Sequence, residues 1–166
     1  KWESAEDTAY TVKHIRQDLS GSYPVSGDLV ETETKYGTTE AQTDAQAKNY
    51  EGFTASAVEQ VEILPEGTAL VEIKYSRNSY TVNWIAEGNA QKTEQVKYGK
   101  IITEPTSNPI KQGYIFASWS GLGAGATMGI TEQTFTAMWD PATDTIYTVK
   151  HIREDLSGNY TTTELE

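Results

Sequence analysis

Asp7–Tyr23 reads DTAYTVKHIRQDLSGSY and Asp144–Tyr160 reads DTIYTVKHIREDLSGNY, so 14 of 17 positions agree at a shift of 137. Trp2 falls on Trp139 at the same shift. A chain that begins its own sequence again is one period of an array, whose units bury their cores partly against their neighbours. Arrays extend and present surfaces. Catalysis needs only one copy of a site.

A weaker repeat lies inside the period. Tyr10-Thr-Val-Lys-His14 is echoed by Tyr80-Thr-Val-Asn-Trp84, and Lys35-Tyr-Gly37 by Lys97-Tyr-Gly99. Asn49-Tyr-Glu-Gly-Phe53 has a looser counterpart in Gln112-Gly-Tyr-Ile-Phe116, and Val71-Glu-Ile-Lys-Tyr75 lines up with Phe135-Thr-Ala-Met-Trp139. Four landmarks in one order imply two modules of similar topology, module A over 10–78 and module B over 79–140. Residues 1–9 then read as the tail of a preceding B, and 141–166 as the start of a following A.

The local patterns are mostly β. Tyr10, Val12 and His14 alternate with Thr11 and Lys13, and Val71, Ile73 and Tyr75 alternate with Glu72 and Lys74, the period of a half-buried strand. Thr, Tyr and Val are abundant and Leu is scarce, which suits strands better than helices. Ala57–Ile63 and Ala69–Tyr75 flank Pro65-Glu-Gly67, predicting a hairpin. Glu40–Lys48 holds good helix formers and predicts a two-turn helix. Pro105 and Pro109 limit the matching stretch of module B to a turn or 3-10 piece. Each module therefore reads as about four strands with one short helical crossover, an α+β fold that is predominantly β. Modules this small bury only about 60% of their unfolded surface. With links as short as Ser76–Ser79 and Asp140–Thr145 they should stack into a semi-rigid rod.

The chain carries 24 acidic and 13 basic residues, a formal net charge of −11. That charge repels nucleic-acid phosphates and anionic membranes. Cysteine is absent, which removes disulfides and thiolate metal sites. No apolar run approaches the ~18 residues of a membrane span.

Module B, with its opening YTVNW, EQVKYGK, the Pro-rich 105–109, QGYIFASW and closing TFTAMW, resembles the Listeria–Bacteroides repeat, also called the internalin-type B repeat. Val96, Tyr98, Gly99, Pro105, Gly113, Tyr114, Phe116, Trp119 and Trp139 stand at that family's marked positions. Its usual Asn-Gly-Gly turn is Glu87-Gly-Asn89 here. Module A, with YTVKHIRQDLSG, ETKYGT, KNYEGF and VEIKYSRN, is similar to the mucin-binding-protein (MucBP-like) repeats. These resemblances imply tandem β-grasp-like modules of large, cell-wall-attached surface proteins, mostly of Gram-positive bacteria. They imply non-catalytic work, as a stalk or as an adhesive array that touches host mucin, glycan or matrix protein with avidity.

Few residues offer chemistry. His14 and His151 are one repeat position, and the echo of His14 by Trp84 points to a half-buried structural ring. Gly121-Leu-Gly-Ala-Gly-Ala126 matches a GxGxxA dinucleotide fingerprint, but that motif needs a βαβ unit. A hairpin loop is the better reading, with no cofactor. Glu31/Glu33 and Asp18/Asp28 lack the spacing of a calcium loop and read as a solvated acidic face, without a metal. Asp18-Leu-Ser-Gly21 reads as a turn. Tyr50, Phe53, Tyr114, Phe116 and Trp119 are assigned to the two cores. Tyr23, Tyr36 and Tyr98, beside turn residues, are the candidate ligand-binding positions, because exposed aromatic rings stack on sugars. Tyr160 is the second copy of Tyr23. Asn159-Tyr-Thr161 is a glycosylation sequon by pattern alone. The partners expected are neighbouring modules of the array. Residues 147–160 are predicted to dock on module B or to pair with an edge strand of a neighbouring molecule, since unpaired strands seldom order alone.

Overall fold

The computed structural model describes residues 5–162; residues 1–4 of the 1–9 tail, Trp2 among them, and the last four residues lie outside the described range. Two four-stranded sheets follow one another. In the first, β1 (Thr8–Arg16), β2 (Val30–Gly37), β3 (Phe53–Ala55) and β4 (Leu70–Arg77) are ordered β2-β1-β4-β3. In the second, β5 (Ser79–Ala86), β6 (Asn89–Lys97), β7 (Tyr114–Ser120) and β8 (Gln133–Pro141) are ordered β6-β5-β8-β7. Each module's first and last strands, β1 with β4 and β5 with β8, form a parallel central pair. The outer strands run antiparallel to them.

The period-2 pattern decides which face is buried. Along β4, Val71, Ile73 and Tyr75 are buried while Glu72, Lys74 and Ser76 are exposed. Tyr10, Val12 and His14 of β1 join the same inner face. In the second module Val82, Trp84 and Ala86 of β5 pack with Phe135 and Ala137 of β8 and Trp119 of β7. Val12, Ile73 and Trp84 are completely shielded from solvent, and each such side chain contributes about 1.5–3 kcal/mol of burial.

The expected α+β class, with helical or 3-10 crossovers in β-grasp-like modules, is not what forms. Among the described residues every regular element is a strand. Glu40 closes a turn at φ 65°, and the rest of Glu40–Lys48 crosses the sheet face as irregular, non-helical chain, because its backbone groups find partners that a helix would have supplied internally. Gln60 Oε1 accepts from the amide of Ala45 and from the Thr43 hydroxyl, and Gln60 Nε2 donates to the Ala45 carbonyl. The Tyr10 and Tyr75 hydroxyls accept from the amides of Asp44 and Lys48. Ala45 and Ile63 thereby reach the core as its lid. Ile102 and Met128 play that part in module B, where the Pro105–Pro109 stretch is likewise non-helical.

The hairpin expected around Pro65-Glu-Gly67 is also corrected. A turn is present, with the Gly67 amide on the Leu64 carbonyl. However, the residues before it pair with the crossover instead: the Thr43 amide donates to Val61 O and the Ile63 amide to Ala41 O. β4 already has a neighbour on each side, so 57–63 has no place in the sheet. Glu87 and Gly88, with φ of 50° and 75°, make a two-residue turn joining β5 and β6. Positive φ at both centres is the type I′ requirement that matches hairpin twist.

Two short strands, β9 (Ile152–Glu154) and β10 (Tyr160–Thr162), pair only with each other. Ile146, Tyr147, Leu156 and Tyr160 are exposed, so this segment does not dock on module B as expected. What it keeps is the local turn. Asp155 Oδ1 accepts from the amides of Ser157 and Asn159, as Asp18 Oδ1 accepts from the Ser22 amide one period earlier. The turn therefore forms from its own residues, without a module around it.

Candidate functional site

The structure does not bring together the three tyrosines singled out by sequence. Tyr36 lies within β2, paired with Ala9, on the face away from the core, and is 68% exposed. Tyr23 is at the other end of β1, where Lys74 Nζ lies 5.7 Å from its ring centroid. Tyr98 is half-buried, between the two modules. The Lys-Tyr-Gly echo misleads because β2 still contains its tyrosine, whereas β6 ends at Lys97. One residue of register reverses the face a side chain occupies.

Tyr98 belongs to a joint centred on Asn78, the single residue between β4 and β5. The Asn78 amide donates to the Gly52 carbonyl at 2.9 Å, and the Asn78 carbonyl accepts from the Tyr98 amide at 2.9 Å. The link is thus hydrogen-bonded to both modules. Around it, Arg77 Nη1 donates to Tyr98 O at 2.8 Å and Arg77 Nε to Gln17 O at 3.1 Å. The Arg77 guanidinium lies 4.7 Å from the centroid of Phe53, and Phe53 meets Tyr98 edge-on at 6.0 Å. Burial lowers the Arg77 pKa from its ordinary value. The Tyr98 ring lies directly on Gly52: a Cβ there would fall 2.2 Å from Tyr98 Cδ1. Gly52, Arg77 and Asn78 were not found by sequence reasoning. The only available signal was Gly52 within the echoed NYEGF stretch.

The same joint is partly present twice more. The Ala142 amide donates to the Gly113 carbonyl at 2.9 Å, as Asn78 does to Gly52. The Ala5 carbonyl accepts from the Thr39 amide at 2.9 Å, as Asn78 does from Tyr98. Ala5 and Ala142 are one period apart.

His14 is fully buried, with Nδ1 2.7 Å from the Tyr75 hydroxyl and Nε2 3.3 Å from Glu33. The half-buried placement expected of it is corrected: the Tyr50 and Tyr75 rings pack against it. Glu31 and Glu33 are not a free acidic face. Lys48 Nζ lies 2.6 Å from Glu31 and 3.0 Å from Glu33, and the Tyr50 hydroxyl donates to Glu31 at 2.6 Å. Hydrogen bonds from Lys48 and then Tyr50 hold the Glu31 carboxyl down at about 2. Burial, and then the bond to Glu31, pushes the Tyr50 hydroxyl up to about 12. Lys48 is raised by its bonds to Glu31 and Glu33. This network fastens the crossover to β2. The carboxylates are committed to cations and hydroxyls of the chain itself. Among the described residues no cluster of three or more His, Cys, Asp or Glu is arranged to hold a metal. Gly121–Ala126 joins β7 to β8, which are antiparallel, so it is not the turn of a βαβ unit.

Residues 80–151 match the family model of the Listeria-Bacteroides repeat domain. The match starts at β5 and does not extend to module A, whose MucBP-like character it leaves unshown. Over 127 residues, 70% of the chain, the sequence is 30% identical to a protein of Evansella cellulosilytica whose name includes the words "Gly-rich membrane protein". The chain spans only 13% of that relative's length. Among solved structures, domains 3-4 of the Streptococcal High Identity Repeats in Tandem (SHIRT) from a cell surface protein cover 80% of this chain and 99% of their own. Identity is 15% and the TM-score 0.30, an overlap too low to equate the folds.

Proposed function

We propose that the chain is a non-catalytic spacer segment of a bacterial cell-surface protein, a semi-rigid stalk that holds distal domains away from the cell wall. The observation that carries this reading is the Asn78 link, one residue long and hydrogen-bonded to the module on either side. Such a link leaves little freedom between modules, and freedom is what a flexible linker of polar residues would supply. The Listeria-Bacteroides repeat in residues 80–151 and the name of the Evansella relative support a surface location. Nitrogen relaxation across both modules of the 166-residue protein tests the reading. A shared, anisotropic tumbling time supports the stalk, and independent tumbling of residues 8–77 and 79–141 overturns it.

A second reading, weak adhesion to host mucin, glycan or matrix protein, is favoured by Tyr36, which stands 68% exposed on an open sheet face. Binding of a two-period protein to immobilised mucin tests it: saturable binding lost in Tyr36→Ala supports adhesion, and no binding removes it.

A further inference from the structure

Among the described residues there are one complete joint and two half joints. The Asn78 joint has two backbone bonds, one backward to the Gly52 carbonyl and one forward from the Tyr98 amide. At Ala142 the backward bond, to Gly113, is made. At Ala5 the forward bond, from Thr39, is made. Because Ala5 and Ala142 are the same position of the repeat, the two halves describe a single joint between a B module and an A module. Gly52 and Gly113 also share a φ of +77°, so both turns present their carbonyl from the same backbone shape. The faces of the two glycines differ. Gly52 is covered by the Tyr98 ring, whereas a Cβ on Gly113 would meet only Thr145 Oγ1, at 3.8 Å. Beside it Tyr114 is 43% exposed.

We infer that the end of module B formed by Gly113, Tyr114 and Ala142 is a seat for the Thr38–Glu40 turn of a following copy of module A, the Ala142 carbonyl accepting from that copy's Thr39 amide. This deepens the spacer reading and rests on it. The occupant is fixed by the chain itself, since the Ala5–Thr39 bond shows which turn of module A receives the residue at this repeat position. The B-to-A joint differs from the A-to-B joint in its side chains. Thr39 stands where Tyr98 stands, and Pro141 where Arg77 stands, so the aromatic and guanidinium contacts around Asn78 have no counterpart there. A hydroxyl pair supplements it instead, Thr8 Oγ1 lying 2.6 Å from Thr39 Oγ1. Both joints share the backbone clamp, and only the A-to-B joint adds aromatic and guanidinium contacts.

The test is amide exchange by NMR in a two-period protein, residues 1–143 followed by residues 7–166, against the 166-residue chain. The expected result is that the Ala142 amide of the first period exchanges about tenfold or more slowly in the longer protein, because seating closes a joint that otherwise opens locally. Thr39→Pro in the second period removes the donor and should return Ala142 to its one-period rate; Thr39→Ala keeps the amide and should preserve the slowing. Equal Ala142 rates in the two proteins, with the Asn78 and Tyr98 amides protected in both, overturn the inference and leave the stalk reading standing. Free exchange at Asn78 and Tyr98 as well overturns both.

Discussion

Gly52→Ala should weaken the joint far more than its own turn. The added Cβ would lie 2.2, 2.3 and 2.6 Å from Tyr98 Cδ1, Cγ and Cε1, so the ring has to leave. With it go the edge contact to Phe53, worth about 0.5–1.5 kcal/mol, and the order of the Arg77–Tyr98 and Tyr98–Asn78 hydrogen bonds, worth about 0.5–1.5 kcal/mol each. The joint thus stands to lose about 2 kcal/mol. A second cost, about 1–2 kcal/mol, comes from placing Ala at φ +77°. Gly113→Ala isolates that second cost, since Gly113 has the same φ and an open face. Urea unfolding of both variants followed by tryptophan fluorescence gives the comparison. Three of the four tryptophans, Trp84, Trp119 and Trp139, lie in module B, so the signal reports mainly on a module that Gly52 does not belong to. The Gly52 variant is expected to lose about 2 kcal/mol more than the Gly113 variant, about a 1 M difference in midpoint for a typical slope. Equal losses would refute the claim that Tyr98 and Gly52 couple the modules.

Arg77→Lys should cost nearly as much as Arg77→Ala, about 1.5–3 kcal/mol in the same unfolding assay, because an ammonium cannot at once reach two carbonyls and lie flat on Phe53. Glu31 has its carboxyl depressed to about 2 in the folded state, so its contribution is complete above the unfolded value near 4.5 and is lost as pH falls from about 5 toward 2. Acid titration of module A by circular dichroism should accordingly flatten across that window in Glu31→Gln, and an unchanged profile would argue against the network. Trp84→Phe removes a fully buried indole whose Nε1 donates to Glu94; a loss of about 2–4 kcal/mol is expected by thermal or urea unfolding. Tyr36→Ala should change stability by less than about 0.5 kcal/mol, which makes it a clean variant for binding assays.

The strands were legible because burial follows a period of two. In β4 the alternation of Val71, Ile73 and Tyr75 with Glu72 and Lys74 is both the sequence signal and the structural fact. The crossover was misread because its composition, Ala and Gln, speaks only of local preference. Its conformation is set by Gln60, Tyr10 and Tyr75, whose side chains reach it from 15 to 34 residues away. Tyr98 was misplaced for a related reason: an echo in sequence does not record where a strand stops. The joint itself was least visible. Its defining bonds are between backbone atoms of Gly52, Asn78 and Tyr98, and backbone atoms are the same in every sequence. Only the small size of Gly52 hints that something must pass close by.

The parallel pairing of each module's first and last strands bears on mechanical load. The chain enters at the start of β1 and leaves at the end of β4, and these neighbours point the same way. A pull on the chain therefore slides one strand along the other and strains the whole ladder between them at once, where an antiparallel hairpin pulled from its open end would peel one bond at a time. The ladder runs over six residue pairs in the first module, Thr11↔Leu70 to Arg16↔Tyr75, and four in the second, Val82↔Gln133 to Ile85↔Thr136. Under tension the second module yields first, and the first holds the line.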